Sequence, residues 1–230
     1  MKKELCLLSI ACCITFVNRA SAQEAPAAGS NAPAPRVGFQ MGLRTGYQLP
    51  MGKANDGPGG SMSDGVGGQV PLFIEIGGKV VPNIFIGGYL GFGFGGTAGQ
   101  TETVCKTPGV TCAAVDVRFG VEVQYHILPG EMTNPWVGYG IGFESIGLGM
   151  STGVQTYSTS YSGIEFAHFM GGIDFRLSRV FGIGPFVDFS MGQYSHYHAE
   201  LPGFPTQDGS IERTAMHEWL ALGARGVFFP

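Results

Sequence analysis

Three histidines are the first residues in this chain that could do chemistry. His196 and His198 lie two apart and His217 follows. On a strand, residues i and i+2 share a face, so this pair could hold a metal from one side. No third ligand is evident at a matching spacing, and no metal or cofactor is assigned. Cys105 and Cys112 enclose KTPGVT, whose Pro-Gly turn brings the two ends together. In an exported chain such a pair reads as a disulfide, worth about 2–3 kcal/mol in the chain-entropy account. With no histidine nearby, the pair does not match a zinc framework. The run GFGFGG at 91–96 has a phosphate loop's composition, but it lies within an amphipathic strand, so that reading fails. Ser195, Asp208 and Glu218 could be recruited for hydrolysis, yet no hydrolase motif surrounds them. No catalytic residue is assigned, and the expectation is a non-enzyme.

The largest chemical group is a set of charges at alternate positions. The stretch VDVRFGVEVQYHIL, residues 115–128, puts Val115, Val117, Phe119, Val121, Val123, Tyr125 and Ile127 on one parity. Asp116, Arg118, Glu122, Gln124 and His126 occupy the other. Successive side chains of a strand point to opposite sides, so this is a strand with one dry and one charged face. The pattern recurs over residues 37–48, 68–80, 84–96, 114–128, 135–149, 163–177, 181–195 and 214–229, eight strands in all. The polar faces collect Arg44, Lys79, Arg118, Arg176 and Arg225 against Glu75, Asp116, Glu122, Glu144, Asp174 and Asp188. His126 and His168 join them as members of a polar network rather than as ligands. The connections alternate in length. Segments 49–67, 97–113, 150–162 and 196–213 are long, and those at 81–83, 129–134 and 178–180 are short.

The chain start points to export. Met1-Lys2-Lys3 is basic, Leu5 to Val17 is largely apolar, and Ala20-Ser21-Ala22 fits a cleavage site. Residues 1–22 are read as a signal peptide. Ser9, where a lipoprotein signal at Cys12 wants a large aliphatic residue, weighs against that alternative. Residues 23–36, QEAPAAGSNAPAPR, read as an Ala/Pro-rich disordered spacer, and 37–229 as the folded domain. The net charge is −4 before the signal is removed and more negative after it. With no basic patch, the attraction to phosphate that drives nucleic-acid binding is missing. Charged residues make up 13% of the chain, against about 25% in typical soluble proteins. That is too little charge for a wetted exterior, yet no run of about 20 apolar residues offers a transmembrane helix.

The charged faces decide which side is inside. At a bilayer midplane each outward Arg or Lys would cost about 2–4 kcal/mol. Inside a narrow barrel, nearly balanced charges can pair. An eight-stranded barrel is just wide enough to be filled by side chains. The predicted fold is all-β: a closed eight-stranded antiparallel transmembrane barrel, an up-and-down meander with four long outer loops and three short periplasmic turns. A soluble lipocalin-like barrel shares the alternation and is the alternative. On these features residues 37–229 resemble the small eight-stranded outer-membrane β-barrel proteins of Gram-negative bacteria. The resemblance implies an outer-membrane location and contact with outer-membrane lipid. It also implies handling by the barrel assembly machinery, which reads an aromatic residue at the end of the last strand. Here Phe228 and Phe229 are followed by Pro230, a departure from that pattern. No motif of an outer-membrane lipid A deacylase or omptin-like protease is recognisable. The expected function is structural or interactive, with a lumen filled by the charge network and long loops open to an external or envelope partner. A small-solute or hydrophobic-ligand channel is the alternative.

Overall fold

A period of two, held over more than ten residues at a time, builds long strands that bury one face each. The computed structural model describes residues 37–229. The expected signal peptide, the spacer and Pro230 lie outside the described residues. The strands are β1 (Gly38–Gly52), β2 (Val66–Val81), β3 (Ile84–Thr97), β4 (Thr111–His126), β5 (Thr133–Ser151), β6 (Thr156–Arg176), β7 (Phe181–Glu200), β8 (Gln207–Ser210) and β9 (Met216–Phe228). A short helix, α1 (Gly99–Cys105), and a 3-10 turn (Met62–Asp64) lie in the connections. Each long strand pairs antiparallel with the next, β7 pairs with β9, and β9 pairs with β1. The result is a closed ring of eight strands. The four-residue β8 pairs with the outer end of β7 and stands outside the ring.

The ring wears its apolar face outward. Phe39, Leu43, Val70, Ile86, Phe119, Val121, Ile141, Ile164 and Val187 are all exposed. With no lipid these would form a belt of bare hydrocarbon that no soluble monomer tolerates. With lipid the belt is solvated, and the ring removes every edge that would leave unpaired backbone groups in the bilayer. The fold is therefore a transmembrane β-barrel, and the lipocalin-like alternative, which needs the opposite polarity, is excluded.

The belt ends within the strands, not at their tips. On β5 the outward residues change from Ile141 and Phe143 to Ser145, Gly147 and Gly149. On β6 they change from Ile164 to Ser162, Ser160 and Ser158. Beyond that line β5, β6 and β7 continue for about 20 Å as a wall, given roughly 3.3 Å per residue. The inner face of the wall becomes apolar as the outer face becomes polar. Met62, Val66, Ala114, Ile146, Tyr194 and Trp219 form a buried cluster there, with Leu148 and Tyr161 packed against it. One set of strands thus obeys membrane rules below the line and water rules above it.

Two connections differ from expectation. The segment 150–162 was expected to be a long loop, but β5 and β6 run through it and leave only 152–155 between them. Half of the segment 196–213 is strand too, since β7 reaches Glu200 and β8 folds back on it. Thr156, Tyr157, Thr159 and Tyr161 are good strand formers. They carry no apolar/polar alternation, because this part of the wall is wet outside. The other long loops stand as expected. In the second, Cys105 and Cys112 form a disulfide (Cα–Cα 5.8 Å) that fastens the end of α1 to the start of β4.

Two outcomes follow from this layout. Val121→Arg, in the belt, should destabilise the barrel by about 2–4 kcal/mol. Ser160→Arg, above the belt, should change stability by no more than about 0.5 kcal/mol. Equilibrium unfolding in phospholipid vesicles compares the two directly. Cys112→Ser should speed limited proteolysis near Lys106 while the unboiled protein keeps its shifted gel mobility. Loss of that mobility would mean the disulfide is needed for barrel formation.

Candidate functional site

The lumen is the site. All eleven residues of the expected network are buried and sit on the inner parity of their strands: Arg44, Glu75, Lys79, Asp116, Arg118, Glu122, Glu144, Asp174, Arg176, Asp188 and Arg225. Most arrange as three layers centred on Arg44, Arg225 and Arg118, with Lys79 and Arg176 at the turn end.

Arg44 on β1 holds the middle layer. Its Nε lies 2.7 Å from Glu75 Oε1 and its Nη1 lies 2.5 Å from Asp188 Oδ2. Glu122 is 3.8 Å from Nη2. The guanidinium also faces the ring of Phe73 at 4.9 Å. Arg225 on β9 holds the layer toward the short turns. Its Nε and Nη2 bond Glu75 Oε2 at 3.1 and 2.9 Å. Nη1 bonds Asp174 at 3.0 Å, Nη2 also bonds Gln124 at 2.7 Å, and the plane stacks 4.1 Å from the Trp136 ring. Arg44 and Arg225 are register partners across the β1–β9 seam. Like charges placed opposite each other on a sheet repel. Here the two oxygens of Glu75 divide between them.

Arg118 on β4 holds the layer toward the loops. Its Nε bonds Asp116 at 2.7 Å, its Nη1 bonds Ser190 Oγ at 3.0 Å, and it lies over Trp219. Next to it Glu144 accepts from Tyr194, from Trp219 Nε1 at 2.8 Å and from His217 Nε2 at 3.0 Å. At the turn end Lys79 and Arg176 lie 5.1 and 4.8 Å from the Phe229 ring, which is turned inward and buried. Arg176 also donates to the Pro129 carbonyl at 2.8 Å. Phe228, by contrast, points out to the belt.

Large side chains fit because small ones lie opposite. A Cβ on Gly120 or Gly142 would come within 2.6 or 2.5 Å of the Tyr89 hydroxyl. Tyr89 uses the space to donate to Glu165.

Glu165 is a buried lumen carboxylate that parity counting misses. His168, Asp174 and Arg176 set an even inner parity on β6, which would send Glu165 outward. The pairing shifts between Glu165 and Ala167 against β7, and between Gly140 and Gly142 against β5. Phe166 is thus the extra residue of a β-bulge, and the phase reverses there. Among the described residues the lumen then holds two more carboxylates than Arg and Lys cations. His168 lies 3.5 Å from both Glu165 and Asp188, and His217 lies against Glu144.

His217 does not join the other two histidines. It is buried and stacked on Tyr194, whereas His196 and His198 lie on the outer wall. Among the described residues no three His, Cys, Asp or Glu side chains are placed to hold a metal. Ser195 is exposed on β7 and bonds His196 Nδ1 at 3.3 Å, away from the lumen. In the first loop the Lys53 ammonium, 3.0 Å away, holds the exposed Asp56 carboxyl below its usual range.

A closed eight-stranded ring, apolar outside and filled by ion pairs inside, defines a small transmembrane β-barrel. No family model matches the chain, and no curated protein matches it. Solved structures do resemble it in fold. A major outer membrane protein from Thermus thermophilus is 14% identical at a TM-score of 0.49, over 84% of this chain and 100% of that one. The outer membrane protein OprG from Pseudomonas aeruginosa is 10% identical at 0.49, over 86% and 99%. Neisserial surface protein A is 10% identical at 0.44, over 83% and 97%. Likeness at this level carries no argument about activity, which rests on the lumen itself.

Glu75→Gln should leave two buried guanidiniums facing each other and destabilise the barrel by about 3–5 kcal/mol, the usual cost of breaking a buried pair. The urea midpoint of the detergent-folded protein measures it. A loss below about 1 kcal/mol would show that solvent in the lumen screens the seam.

Proposed function

We propose that the protein is an outer-membrane barrel with a structural or interactive role, its lumen closed to solutes by the side-chain network. One observation carries this reading: Arg44 and Arg225, both fully buried, pair with Glu75, Asp188 and Asp174, and Arg225 reaches across the bore to Gln124 on β4. Opening a path would mean separating ion pairs in a medium where each freed charge is costly. Trp136 fills the space beside Arg225, and Trp219 that beside Arg118 in the layer toward the loops. The apolar belt supports a place in a bilayer, and the export signal read in the sequence supports the outer membrane.

Interaction then falls to the parts beyond the belt, namely the loops and the wall of β5, β6 and β7. The partners we infer are outer-membrane lipid around the belt, the assembly machinery during insertion, and an envelope or external partner at the loops. Phe228, facing outward at the end of β9, is the aromatic residue the assembly machinery would read. Phe229 is engaged inside by Lys79 and Arg176. A non-enzymatic role is the reading that fits a lumen filled by paired side chains.

Planar-bilayer recording tests the closed lumen. The wild-type protein should give no steady single-channel current, and a double replacement, Arg44→Ala with Arg225→Ala, should open one if it folds. Steady wild-type currents would replace this reading with the channel. Fractionation tests the location: recovery in a soluble periplasmic fraction would overturn it.

A further inference from the structure

Above the lumen network, at the loop end, the wall and the first two loops enclose a cavity of about 220 Å³. Its floor and back are apolar, built from Met62, Val66, Ile146, Leu148 and Tyr161. Its front is the first loop and α1, where Thr101 Oγ1 donates to the Asp64 carbonyl at 3.3 Å. Asp64 is the only carboxylate, ammonium, guanidinium or imidazole among the lining residues. The Asp64 carboxylate has no hydrogen bond or ion pair to another described residue. Asp64 lines the cavity at a half-buried position.

The three charge types of ligand fare differently here. An anion meets the Asp64 charge and is repelled. A neutral apolar molecule covers the carboxylate and leaves it unpaired, which costs free energy. A cation on an apolar body pairs with the carboxylate, buries hydrocarbon on Met62, Ile146 and Leu148, and can lay its charge over the Tyr161 ring. We propose that this cavity binds a small organic cation, an ammonium group carried on an apolar body. Such a site would be reached from the outer side without any passage through the barrel. The inference does not depend on whether the lumen conducts.

Benzyltrimethylammonium is a suitable probe, titrated by calorimetry into the full protein in phosphatidylcholine nanodiscs. Benzyl alcohol and phenylacetate serve as the neutral and anionic counterparts. Two variants divide the contributions. Asp64→Asn removes the charge. Gly65→Phe fills the cavity at a backbone position with negative φ, where an added Cβ meets only Leu148 at 3.7 Å. The expected result is saturable one-to-one binding of the cation, weaker binding of the alcohol and none of the acid. Asp64→Asn should weaken the cation by about tenfold or more, as loss of a charge-assisted bond does. Gly65→Phe should abolish binding while the unboiled gel shift stays intact. If Gly65→Phe lost that shift, Leu148→Trp would take its place as the filling change. No saturable binding, equal affinity for the alcohol, or unchanged binding in the filled variant would each overturn the proposal.

Discussion

One carboxylate holds the seam of this barrel together. Arg44 and Arg225 are set opposite each other where the first and last long strands meet, and Glu75 gives one oxygen to each. A barrel in a bilayer cannot leave this contact to water. Its outer face has been given over to hydrocarbon, so every polar side chain on these strands must find a partner within a bore only a few side chains wide. The remaining lumen follows from that constraint. Arginines sit near the axis because a guanidinium can serve several carboxylates at once. Aromatic rings stand beside them because a flat ring packs against a flat cation without asking for a hydrogen bond. Glycines lie opposite because the rings and guanidiniums need the room.

The same strands serve two solvents. Below the line marked by Phe143 and Ile164 the hydrocarbon is outside and the ions are inside. Above it the arrangement reverses, and Met62, Val66, Ile146, Tyr194 and Trp219 make a small core of ordinary kind. Trp219 belongs to both regions, with its ring in that core and its Nε1 donating to Glu144. The first loop can therefore be held in place by burial of Met62, and α1 by the Thr101 bond to Asp64 and the Cys105–Cys112 link.

Much of this is legible in the residues, and the misses have physical causes. The eight strands and their lumen charges follow from a two-residue period, because lipid outside and ions inside impose opposite chemistry on successive positions. The wall at 156–162 is hidden because both of its surroundings accept Ser, Thr and Tyr, so no contrast remains to be read. His217 falls within the last expected strand, on the parity of Arg225. Its place opposite Gly192 on β7 comes from pairing, which one strand alone does not encode. The cavity beside Asp64 is built from three separate segments, and no local pattern announces it.

Phe166 has a consequence for how such chains are compared and altered. Because it is an extra residue, β6 is written in two frames. Odd numbers point inward before it and even numbers after it. An alignment that carries a single frame through the strand turns one half of it inside out. Position number is thus a safe guide to environment only within each half. The bulge is the punctuation between them.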